Sequence, residues 1–224
     1  MEMTVSELAK SVGCNEQRLR AMISAGTLEA RKQGNLWLVD SQSYEASRRS
    51  GKSMTALNAW RLLALAGGAD LGEIRTDEKY RLRKRLSALL IRDDPTIDLM
   101  LRTLLANRAK RIEYEAVDAS AVEKDSRVTL SGLSDERSGL TRSNEAEGYV
   151  LASDLSAVEK HLAMFRVDRG RGNVTLHVVD DAYKNWLHSS VVLTAADLAE
   201  RSDVRSRSQA AHVFGLLRAT TIKQ

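Results

Sequence analysis

The chain has 224 residues, 43% of them apolar but only 4% aromatic, so Leu, Val and Ala must fill its cores. A net charge of +4 and a pI near 9.3 are compatible with a nucleic-acid partner. The one cysteine, Cys14, excludes an internal disulfide and a cysteine-based zinc site; no apolar run resembles a signal peptide or reaches the length of a membrane span, so a cytoplasmic protein is expected.

Residues 4–40 predict two short helices and a two-stranded wing. Val5, Leu8, Ala9 and Val12 recur at helical spacing, with Thr4 and Glu7 in capping-box positions. Gly13-Cys14-Asn15 supplies the corner, because Gly and Asn tolerate a left-handed backbone. The second helix, 16–25, buries Leu19, Met22 and Ile23 and ends at Gly26. The period then changes to extended, and 27–32 and 36–39 flank Gln33-Gly34-Asn35 as a hairpin.

Gln17, Arg18 and Arg20 fall on the second helix away from Leu19 and Ile23, while Arg31, Lys32 and Gln33 are placed at the wing tip. Arg and Gln pair with guanine and adenine edges in the major groove, and Lys and Arg neutralise phosphates. Asn15 and Asn35 at the two turns, and Arg48 and Arg49 beyond the wing, complete the expected DNA-contacting set. A small packing module with solvated charges is the other reading of the same pattern.

The run Thr4-Val5-x-Glu7-x-Ala9, with Gly13, Leu19, Ile23, Gly26, Leu28 and Trp37-x-Val39, resembles the winged helix-turn-helix of the excisionase and mercury-resistance-regulator superfamily. The resemblance implies DNA binding and says nothing of the target sequence.

Residues 40–53 are polar, with Ser50-Gly51-Lys52-Ser53 as a hinge; Arg48, Arg49 and Lys52 serve either as backbone contacts beside the wing or as a solvated linker. Leu57, Trp60, Leu63 and Ala64 before Gly67-Gly68 describe a buried helix and its stop. A second helix, 77–90, has Tyr80, Leu82, Leu86 and Leu89 as anchors. Its opposite face carries Lys79, Arg81, Arg83, Lys84 and Arg85, which is either a second DNA contact or a solvated face. Pro95 fits the start of a third helix that runs through Ile97, Leu101 and Leu105 to Asn107-Arg108.

The C-terminal half alternates strand and helix. Residues 111–117 and 127–130 read as strands around a short helix at 118–124, and 131–147 reads as a long surface loop. A strand at 149–152 feeds a helix with Leu155, Val158 and Leu162 on one face. Residues 165–167 and 173–179 are expected to form a hairpin around Arg169-Gly170-Arg171-Gly172, before helices near 195–201 and 204–217. The whole is expected to be a mixed α+β protein: a winged helix-turn-helix at 1–52, a helical segment at 53–108, and an α/β domain with a small mixed sheet at 109–224.

No motif supports catalysis or a cofactor. Asp180-Asp181 are adjacent, so on an extended chain they point to opposite faces and cannot share a metal; Gly132-Leu133-Ser134-Asp135 lacks a paired aspartate. His161, His177, His188 and His212 are dispersed, with no second His at metal-ligand spacing. A non-enzyme without metal or cofactor is expected.

The succession RIEYEAV, DASAVEKDSRVTLSGLS, EGYVLASDLSAVEKHL, GNVTLHVV and VVLTAADLAERSDVRSRSQAAHVFGLL is similar to the AbiEi-type antitoxins of type IV toxin–antitoxin systems. That resemblance implies an N-terminal module that binds a double-stranded DNA operator and represses the operon. It also implies a C-terminal domain that counters a nucleotidyltransferase-like toxin. The excisionase-like wing leaves a second expectation open, a DNA-bending accessory factor of site-specific recombination, against which the long α/β region counts.

Overall fold

The computed structural model describes residues 2–24, 28, 30–41, 44, 52–91, 97–141, 144–201 and 203–221. The expected Gly26 cap, Arg48 and Arg49, Pro95, and Ser50 and Gly51 of the hinge lie outside these residues.

The N-terminal unit opens on a strand that the sequence pattern did not suggest. β1 (Glu2–Thr4) leads into α1 (Val5–Val12) and α2 (Glu16–Ser24), followed by β2 (Ala30–Gln33) and β3 (Leu36–Asp40). The three strands form an antiparallel sheet in the order β1-β3-β2. The capping box closes as expected: the Glu7 N–H donates to the Thr4 hydroxyl, and the Thr4 N–H donates to the Glu7 carboxylate. Gly13, at φ 66°, turns the chain, and the Asn15 side chain accepts from the Gln17 N–H to start α2. Val5, Leu8, Ala9, Leu19, Leu28 and Val39 close a small core, which excludes water from the inner faces of both helices and the sheet.

The larger unit begins with α3 (Ala56–Ala66), capped by Thr55, then α4 (Thr76–Ile91) and α5 (Ile97–Leu104). Its sheet runs β5 (Thr129–Leu130), β6 (Ala146–Leu151), β8 (Val174–Val179), β4 (Lys110–Glu115), β7 (Phe165–Val167), with β6 and β8 parallel and the other neighbours antiparallel. Helices α6 (Ser120–Glu123), α7 (Leu155–His161), α8 (Val191–Glu200) and α9 (Val204–Thr221) complete it. The fold is thus the mixed α+β class that the sequence predicted.

Alternation along the strands divides this sheet into two unlike faces. One face sends Tyr114, Val150, Val174 and Leu176 against Val122 of α6 and Val158 of α7. The other sends Tyr149 and Val179 into a core with Trp60 of α3, Leu101 of α5, Leu193 of α8 and Phe214 of α9. Residues before and after 108 therefore share one core.

Three local expectations are corrected. β7 and β8 do not form a hairpin, since each pairs with β4, on opposite sides. The chain between them passes over β4 at Gly172, where a Cβ would stand 2.6 Å from the Tyr114 carbonyl oxygen, so only glycine fits the crossing. Within 131–147, expected as a surface loop, residues 131–135, 138, 146 and 147 are buried, while Gly139, Thr141 and Asn144 are exposed. Of two short 3-10 helices against α8, Gly132–Ser134 is buried and Glu136–Ser138 buries only Ser138; Ser131, Ser134 and Asp135 are inside because their polar side chains find partners there. Leu57 and Tyr80, expected as anchors, are 39% and 66% exposed, and Ala59 and Leu62 pack where Leu57 was expected to; the expected Leu82 and Leu89 are buried.

Candidate nucleic-acid interface

Leu19 is fully buried on α2, with Met22 and Ile23 half-buried beside it. That rotation leaves Gln17, Arg18 and Arg20 in solvent on the opposite face. Arg18 makes no ion pair among the described residues; Arg20 lies 3.6 Å from Glu16 one turn earlier, both exposed, a pairing that a competing phosphate can displace. Asn15 is committed to capping α2, so its place in the contact set is at the helix end. Lys32, Gln33 and Asn35 stand exposed around the Gly34 turn, where φ is 61°.

Arg31 is placed differently from the sequence reading, which had it at the wing tip. It lies opposite Leu38 across the hairpin, whereas Lys32 lies opposite Trp37, so the two basic side chains project from opposite faces of the sheet. The Arg31 guanidinium donates twice to the Glu2 carboxylate, at 2.8 and 2.7 Å, and lines a cleft shared with Arg102, Arg169 and Arg201 of the larger unit. On α4, Arg83, Lys84 and Arg85 are exposed, while Arg81 pairs with Asp77.

Sequence reasoning missed a charged network buried in the larger unit. Arg108, just past α5, donates to Asp197 and Glu200 of α8, to the Tyr149 hydroxyl and to the Leu105 carbonyl, with its side chain 1% exposed. Asp197 also accepts from Tyr149 and from Ser131. Burial pulls the Arg108 pKa down, but Glu200, Tyr149 and Asp197 outweigh it and hold the guanidinium charged. Beside it the His177 Nε2 hydrogen-bonds the Glu147 carboxylate at 3.0 Å, and Glu147 accepts from the Leu133 N–H. Burial alone would raise the Glu147 carboxyl; the His177 bond and the Arg111 and Arg201 charges keep it below its ordinary range. The Glu147 carboxylate occupies the space over Gly132, at φ 55°, where a Cβ would come within 2.1 Å of it.

Glu147, His177 and Asp197 bring ligand atoms within 4.8 Å of one another, so the structure assembles a cluster from a histidine that looked isolated in the sequence. Every carboxylate oxygen in it already accepts from a protein N–H or O–H. A cation would have to displace Arg108 or His177, which makes the cluster a closed link between sheet and α8 rather than a metal centre. Its one sequence signal is weak: Glu147, Tyr149 and His177 are polar residues at alternate positions inside otherwise apolar strands. The adjacent Asp180 and Asp181 are spent locally, Asp180 capping the turn at Asp181–Trp186 and Asp181 accepting from Ser153.

No protein family, curated protein or solved structure was found to match the chain.

Proposed function

We propose that the chain is a DNA-binding repressor of its own operon and the antitoxin partner of a nucleotidyltransferase-like toxin, acting in the cytoplasm without a catalytic step of its own. The observation that carries the DNA half is the open face of α2, where Gln17, Arg18 and Arg20 lie free of the core, together with the exposed Lys32-to-Asn35 turn. In helix-turn-helix docking the second helix enters the major groove with its N-terminal residues on base edges, while a wing reaches the flanking backbone. The antitoxin half rests on the resemblance of the segments between 111 and 217. A body of this size with its own core can bind a partner protein independently of the winged module.

The test has two arms. The purified chain is offered a random duplex library, and enriched sequences are checked for a match upstream of its own gene. Separately, it is co-expressed with the nucleotidyltransferase-like product of the adjacent reading frame. Enrichment of one operator and survival of the cells support the reading. Binding without sequence preference removes the repressor half, and cell death removes the antitoxin half.

A further inference from the structure

Helix α4 packs against α3 through Leu82 and Leu89, with Leu86 and Leu90 half-buried beside them, and turns its other side to solvent. Its two acidic residues lie in the first turn and are already taken. Asp77 accepts from Arg75 and Arg81, and Glu78 pairs with Arg61 at 3.1 Å. From Lys79 to Ile91 the helix carries no carboxylate. Arg83, Lys84 and Arg85 are exposed and make no ion pair among the described residues; nor does the half-buried Lys79.

Charges at this density work against the helix itself. Lys79 with Arg83, and Arg81 with Arg85, place like charges one turn apart, an arrangement that destabilises a helix. Asp77 offsets Arg81, and the others are left to water. A protein partner fits this side poorly, because interface centres are depleted of Lys and built on apolar anchors, and Tyr80 is the one large ring among these cations. A chain of phosphates offsets the repulsion directly.

Consecutive residues on a helix point about 100° apart. Lys84 therefore stands near the middle of the solvent side, one turn from Tyr80, with Arg83 and Arg85 projecting to either flank. Laid against a duplex in that orientation, the helix presents one guanidinium toward each strand's backbone. Lys84 and Arg85 also line a groove with Met54 and Asn58, whose one carboxylate is the Glu78 held by Arg61. Lys52, exposed two positions before Met54, extends the basic surface along the segment that follows β3.

We propose that this face of α4 is a second duplex-DNA contact, in which Arg83, Lys84 and Arg85 bind backbone phosphates irrespective of base sequence and the Tyr80 hydroxyl donates to a neighbouring one. The inference rests on the proposed function only in taking duplex DNA as the partner: α2 reads the sequence, and α4 adds affinity. Each phosphate neutralised releases counterions, so the contact is read from the salt dependence of binding.

The experiment measures, by fluorescence anisotropy across a salt series, the affinity of the full chain for a labelled random-sequence duplex and for the enriched operator. It is repeated with Arg83→Gln, Lys84→Gln and Arg85→Gln combined. A control removes the same charge elsewhere, with Lys124→Gln, Lys160→Gln and Lys184→Gln combined. All these side chains are exposed, so both variants should keep the fold, which circular dichroism checks. The α4 variant should flatten the logarithmic salt slope by about two to three units on both duplexes, and the control by less than about one unit. The ratio of operator to random-duplex affinity should stay that of the unaltered chain. Equal slopes for the two variants overturn the proposal, the face then being solvated charge. So does a loss confined to a single-stranded oligonucleotide, which would assign the face to unpaired bases stacked on Tyr80. A chain with no operator preference loses α2 as a reader, yet the random duplex still decides α4; a chain that binds neither duplex removes both.

Discussion

Arg108 and Asp197 stand 89 positions apart in the chain and form an ion pair in which neither side chain is more than 1% exposed. The pair ties the end of α5 to the middle of α8 across the polar strip of the sheet. Removing one partner leaves the other charged and buried, so Arg108→Met should destabilise the fold by about 3–5 kcal/mol in urea unfolding. Pairing it with Asp197→Leu should recover part of that loss, because the fully buried carboxylate is gone and only Glu200, 12% exposed, is left without its partner. A double variant less stable than the single one would show that the pair itself is not the source of the penalty.

Arg18 is the sharpest test of base readout. Arg18→Ala should cost about 1–3 kcal/mol of operator affinity and relax preference at one base step, with little change in stability because the side chain is exposed. Unaltered affinity in a combined Gln17, Arg18 and Arg20 alanine variant would remove α2 from the interface.

The two faces of the wing should behave differently. Lys32→Ala should flatten the logarithmic salt dependence of DNA binding by roughly one unit, as expected for one lost phosphate contact. Arg31→Ala should leave that slope unchanged, since Arg31 is held by Glu2 on the opposite face. Equal slopes for both variants would contradict this placement.

Asp135 makes stability depend on acid. Burial would raise its carboxyl, but Arg137, Thr194, the Arg137 N–H and Ser189 outweigh this and hold it at about 2. A carboxyl depressed on folding contributes its full stabilisation above the unfolded value near 4, and loses it as pH falls from there through the folded value. The contribution is on the order of 2 kcal/mol. Asp135→Asn should therefore be less stable at neutral pH and show a flatter stability profile between about pH 4 and 2, read by urea unfolding across that range.

The hydrophobic core of the winged unit shares no residue with the two of the larger unit, drawing on residues up to 44 while they start at Met54. A fragment beginning at Ser53 should unfold in one cooperative step and, under the proposed function, protect against the toxin. Loss of cooperativity in the fragment would mean that the winged unit completes its core.

What the sequence determined by itself was whatever depends on near neighbours. Thr4 and Glu7 are three positions apart, so their capping box was legible, as were the Gly13 turn and the rotation of α2 that buries Leu19 and exposes Arg18. The mixed class and the order of strands and helices after residue 110 followed from local periodicity in the same way. Tertiary structure alone decided the rest, because pairing partners are not written into a strand's own period. β1 became visible only once Glu2 lay opposite Asp40. Arg169-Gly170-Arg171-Gly172 looked like a hairpin turn until β4 was found between its flanking strands. Ser131, Asp135 and Glu147 looked like surface residues because polarity normally marks the surface. They are buried because Asp197, Thr194 and His177, up to 66 residues away, satisfy their hydrogen bonds, and that satisfaction exists only in the folded chain.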